Sequence, residues 1–231
     1  MGNNEEKVNN PLRALGLDEK AGNGIRSMGL VMARAGLGKT AILVQLALDC
    51  MLQGHKVLHV SIGEGIEKTR VWYDDILSLL TDGEKLDMIP GISKNRMIMT
   101  FKESAFSKAI LEERFDDFVQ QDIFKPECLI IDGYDFEGNQ KNSLEELRNF
   151  MDDRGLKMIW FSAVCHRSDD RVSEDGVPAP CHDVATLFDT VLLIKPEGDE
   201  MKLDILKSDS SAVDAGATLS LDPSSMLIQK S

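Results

Sequence analysis

The residues best equipped for chemistry are the run Ala33-Arg34-Ala35-Gly36-Leu37-Gly38-Lys39-Thr40. It matches the pattern G-x-x-x-x-G-K-[ST] at every defined position except the first, where Ala33 replaces glycine. Gly36 and Gly38 let the backbone turn so that successive N–H groups face one point, the geometry of an anion cradle. A helix opening at Lys39 adds its own unpaired N–H groups and the positive end of its dipole. Such a cradle is built for a nucleoside triphosphate. The amides of Ala35, Gly36, Leu37, Gly38, Lys39, Thr40 and Ala41 hold phosphate oxygens, Lys39 reaches the β- and γ-phosphates, and the Thr40 hydroxyl ligates Mg²⁺. The bland alternative is a glycine-rich turn between a strand and a helix. ATP is the default nucleotide, because no N-K-x-D guanine motif occurs in the chain.

A second element is the apolar run Leu129-Ile130-Ile131 ending in Asp132. An acid at the carboxyl end of a parallel strand lies where ligands of such sheets bind, and there it holds magnesium, usually through water. Hydrolysis also needs a group that orients the attacking water. Glu64, just past the second apolar run, is the candidate, with Asp135 in reserve; the bland alternatives are a solvated loop acid for Glu64 and a turn cap with Gly133 for Asp132. Beyond Ser162, His166 and Arg167 are placed to sense the γ-phosphate or simply to anchor a loop. Trp72 and Tyr73 suit helix packing better than stacking on adenine. Cys165-His166 and Cys181-His182 are poor zinc chelators, because adjacent strand residues point to opposite faces.

The elements that must position these groups alternate regularly. Strands are expected at 27–33, 56–62, 96–101, 127–132 and 156–163, and helices at 39–53, 66–80 and 104–124. A further helix is expected to open at Ser143, with Glu146 completing a capping box, and to end before Gly155. In the helix over 66–80, Ile66, Val71, Ile76, Leu77 and Leu80 are expected mostly on one side. Residues 82–91 read as a loop. Residues 190–194 and 202–206 read as a hairpin about Pro196-Glu197-Gly198-Asp199, and 218–221 with 226–229 as a short final one. Five near-continuous apolar strands joined by helices imply a mostly parallel sheet buried on both faces. The fold class is therefore α/β and three-layered, with antiparallel edge hairpins at the C-terminal end. Residues 1–24 read as a loosely packed lead-in and 25–231 as one domain.

Composition narrows the function. Across 231 residues, 39 acids against 26 Lys and Arg leave a formal charge of −13, which opposes direct nucleic-acid binding. The loop 168–183 has one Arg among five acids. No run of eighteen apolar residues suggests a membrane span, and the polar start lacks the apolar centre of a secretory signal. A cytoplasmic protein is the expectation.

With these motifs in this order, the chain resembles the RecA superfamily, in particular its KaiC-like and RadA-like ATPases. The resemblance spans about 27–229 and rests on the P-loop, Glu64, Asp132, the strand order along the chain and the terminal hairpin. It implies a RecA-like sheet, ATP hydrolysis, and a homo-oligomeric ring or filament with ATP at subunit boundaries. The chain departs from the pattern in two places. Gly63 precedes Glu64 where such proteins commonly carry two adjacent acids. Lys207-Ser208-Asp209 keeps the lysine of a Lys-x-Arg motif aimed at the neighbour but lacks its arginine. A second resemblance is to ParA- and MinD-like dimeric ATPases, in which Arg34 would stand for a lysine that reaches the partner's phosphates. The leading expectation is an ATPase whose nucleotide state controls assembly or the binding of a protein partner. The missing second acid and the missing arginine favour slow or partner-stimulated hydrolysis, and a regulatory module that binds ATP without hydrolysing it is the alternative.

Overall fold

The computed structural model describes residues 14, 15, 17, 26–81, 90–138, 140–166, 168–210 and 213–229. Most of the expected lead-in, residues 82–89 of the expected loop, and Arg167 lie outside the described residues. In chain order the elements are β1 (Ser27–Ala33), α1 (Lys39–Leu52), β2 (Val57–Ile62), α2 (Ile66–Leu80), the helical turn α3 (Pro90–Ser93) and β3 (Arg96–Phe101). Then come a 3₁₀ turn (Glu103–Ala105), α4 (Lys108–Gln120), β4 (Cys128–Asp132), α5 (Lys141–Arg154), β5 (Met158–Val164) and a second 3₁₀ segment (His182–Leu187). The chain closes with β6 (Thr190–Glu197), β7 (Glu200–Lys207) and β8 (Thr218–Leu221).

The strands form one eight-stranded sheet in the order β3-β2-β4-β5-β1-β6-β7-β8. Alternation along β1 divides the core between two faces. Met28, Leu30 and Met32 join Leu111, Phe115, Leu144 and Phe150 of α4 and α5. Val31 and Ala33 join Ile42, Leu46, Tyr73 and Leu77 of α1 and α2 on the other side. Both faces are thus covered, which explains why β1 and β2 are buried at every position and β4 and β5 at all but the last, with mostly apolar side chains. Helix α1 is buried from Ala41 to Met51, as expected of a helix apolar on all sides. It is held between the sheet, α2 and the C-terminal segment. There Gln45 donates to the Met226 carbonyl at 2.8 Å, and a Cβ built on Gly38 would lie 2.7 Å from Met226 Cε.

Several expected boundaries are corrected. Strand β6 pairs parallel with β1, so the closing hairpin begins inside the parallel sheet and only β7 runs against it. Its turn is Gly198-Asp199, with Pro196 within β6. The last hairpin reduces to β8 and a single bridge between Leu221 and Ile228. The expected helix 104–124 is interrupted before Lys108, where Ser107 Oγ accepts from the Ile110 N–H and caps α4. The Phe106 ring turns instead onto Phe101 and Tyr134. Helix α5 starts at Lys141, ahead of Ser143, so no capping box forms. In α2, Ile66 and Val71 are exposed, and the buried side is Thr69, Tyr73, Ile76 and Leu77, spaced to lie along α1.

Tyr73 is core, not an open stacking platform. Its hydroxyl lies 3.0 Å from Nδ1 of His59, a fully buried histidine in mid-β2. Among the described residues, His59 Nε2 has no hydrogen-bond partner. Burial drives the His59 pKa from 6.5 down to about 4.

Candidate functional site

Parallel strands deliver their carboxyl ends to one edge of the sheet, and the helices that follow start there. At that edge β1 leads through the exposed residues Arg34, Ala35 and Gly36 into α1. Gly36 and Gly38 have φ of +78° and +83°, in the left-handed region that residues with a Cβ avoid. These two positions account for the glycines of the motif. Lys39 and Thr40 open the helix half-buried, and Ala41 is fully buried.

Strand β4 does not pair with β1, because β5 lies between them. Asp132 at its tip nevertheless meets the loop. Thr40 Oγ1 donates to Asp132 Oδ2 at 2.7 Å. Ser162 Oγ, from the intervening β5, donates to Asp132 Oδ1 at 2.5 Å and accepts from the Gly133 N–H at 3.0 Å. The carboxylate is therefore held on both oxygens by hydroxyls from two different elements. Desolvation lowers the pKa of Lys39, opposed by the nearby Asp132 and Cys165. Cys165 is pushed up to about 11 by burial, against the pull of Lys39 and Arg34.

In front of these groups opens a cleft of about 810 Å³ lined by Lys39, Thr40, Glu64, Asp132, Asp135 and Ser162, among others. The structure thus brings the expected Lys39, Thr40, Glu64 and Asp132 to one cavity. Ala35, Gly36, Leu37, Gly38 and Ala41 do not line it; they belong to the loop and to the helix interior. His166 also lines the cleft, 3.8 Å from Glu137. Lys207 does not reach it, and its ammonium donates to the Ala185 carbonyl of its own chain at 3.2 Å.

Glu64 is exposed, and its carboxylate is 2.5 Å from the Lys68 ammonium one helical turn on. Asp135 instead accepts from the Glu137 N–H at 2.8 Å. Sequence reasoning passed over Ser61, Glu103, Tyr134 and Gln140, which also line the cleft. The signal for Glu103 was its place just after β3, at the same sheet edge. Tyr134 donates to Gln140 Oε1 at 3.2 Å and fixes the start of α5.

A turn of amides, a half-buried ammonium and two adjacent hard oxygen donors form a set that suits an anion paired with magnesium. Among the described residues no three His, Cys, Asp or Glu side chains gather to hold a metal alone. A cation here would rest on Thr40, Asp132 and oxygens brought by the ligand. No helix among the described residues is long and apolar enough to cross a membrane. In comparison with known proteins, no family model matches the chain, and no curated protein does.

Proposed function

We propose that the chain binds ATP with Mg²⁺ as a RecA-like P-loop protein, and that slow or partner-stimulated hydrolysis controls its assembly or its binding to a protein partner. The observation that carries this reading is the 2.7 Å link from Thr40 to Asp132, which joins the loop motif to the acid strand across β5. The antiparallel β6–β7 closure adds support for the RecA-like over the ParA-like reading. In the proposed complex the loop amides and the N-terminus of α1 hold the phosphates, with Lys39 at the terminal one. Magnesium would be held by Thr40 and Asp132 and would offset charge on the β- and γ-phosphates.

The test is calorimetry with ATP-Mg²⁺ on the full chain and on Lys39→Ala. Uptake by the wild type that is lost in the variant supports the reading; a wild type that takes up no nucleotide ends it. A second reading, a dimer with Arg34 reaching the partner's phosphates, is favoured by the exposure of Arg34 beside the loop. An ATP-dependent doubling of mass that Arg34→Ala abolishes would support it.

A further inference from the structure

The water-orienting role assigned to Glu64 meets a difficulty in the cleft, since one of its oxygens already holds the Lys68 ammonium at 2.5 Å. A second carboxylate stands nearby without such a partner. Glu103, on the 3₁₀ turn after β3, lines the same cleft as Lys39, Thr40 and Asp132. Among the described residues it makes no ion pair.

Its position is set by the backbone. Strands β2 and β3 pair in parallel along their length, and the Gly63 N–H donates to the Phe101 carbonyl at 2.9 Å, so the two exits are tied together. Gly63 has φ +85°, and a Cβ built on it would lie 3.0 Å from Glu103 Oε1. A side chain at position 63 is therefore strained by the backbone and crowded by Glu103. The Glu103 carboxylate covers the turn that carries Glu64.

From this we infer that Glu103 is the second acid of the site, a catalytic base that works beside Glu64 on the attacking water. The inference rests on the proposed ATP site. In the step it serves, the water oxygen bonds to the γ-phosphorus as the bond to the β,γ-bridging oxygen breaks. ADP leaves with that electron pair, and the water's proton passes to the Glu103 carboxylate and on to solvent.

The experiment uses the full chain with three substitutions, Glu103→Gln, Glu103→Asp and Glu64→Gln. It reads ATP affinity by calorimetry, phosphate release in single turnover, and melting temperature. Glu103 is exposed on a short turn, so folding is expected to survive its replacement. Glu103→Gln is expected to slow phosphate release by about 100-fold, with ATP affinity changed less than twofold. Glu103→Asp should restore part of the rate. Unchanged phosphate release in Glu103→Gln, with Glu64→Gln inactive, returns the role to Glu64 and overturns the inference. ATP uptake by a wild type that releases no phosphate overturns it too, while leaving the binding reading intact. Failure of ATP uptake removes both, and calorimetry distinguishes that case.

Discussion

At the Asp132 end of the cleft, one carboxylate is gripped by Thr40 and Ser162, and Ser162 is gripped in turn by Gly133. At the Glu64 end, carboxylates project from exposed turns after β2 and β3, one paired with Lys68 and one with no ion partner among the described residues. The first end is seated on the centre of the sheet, where Thr40 and Ser162 from neighbouring elements hold both oxygens of Asp132. The second is seated on the β2 and β3 exits, toward the sheet edge, where solvent competes for each charge. A rigid end suits holding a ligand, and a solvated end suits exchanging water and protons with it.

The largest expected effect is at the rigid end. Lys39→Met should weaken ATP binding by about 100-fold, in the 2–5 kcal/mol range for removing one partner of a buried charge pair. The same variant should melt higher than wild type without nucleotide, because folding desolvates the Lys39 ammonium and lowers its pKa. Below the folded pKa the charge is retained in both states and the penalty is complete. It shrinks between that pKa and the ordinary value of 10.5 and is gone above it. The thermal advantage of Lys39→Met should therefore fade as pH rises; an advantage independent of pH would contradict this cause.

Beneath the solvated end, His59 supplies the next effect. Its folded pKa of about 4 is below its ordinary 6.5, so the unfolded chain binds more protons between these values. Stability should fall as pH drops through that window, by roughly 3 kcal/mol in all. His59→Asn, compared by urea unfolding at several pH values, should show a flatter slope. Ser162→Ala should cost about 1–3 kcal/mol, because the Gly133 N–H and one oxygen of Asp132 lose a partner. Lys68→Ala should change unfolding by less than about 0.5 kcal/mol, since its pair with Glu64 is exposed. Equal costs for these last two would remove the contrast between the ends.

Much of the architecture was legible because it follows from local rules. Strand β1, helix α2 and strand β3 have the bounds that apolar runs and periodicity imply. The turn at Gly36 and Gly38 is written in the residue types themselves. Misreadings occurred where a distant partner overrode local pattern. Phe106 continues a helical pattern but is drawn to Phe101 and Tyr134 across the sheet edge. Ile66 and Val71 are apolar yet face outward, because α2 turns its Thr69–Tyr73–Ile76 side to α1.

Within the cleft, the chain alone singled out Lys39, Thr40, Glu64 and Asp132 as candidates, since their types and their places after apolar runs are local properties. Only the tertiary structure decided which of them touch. Thr40 and Asp132 are 92 residues apart in the chain. Strand order, a product of how the two core faces pack, sets β5 between their strands and brings Ser162 against Asp132. The placement of Glu103 over Gly63 has the same origin, because pairing between β2 and β3 is a long-range choice that no window of sequence contains.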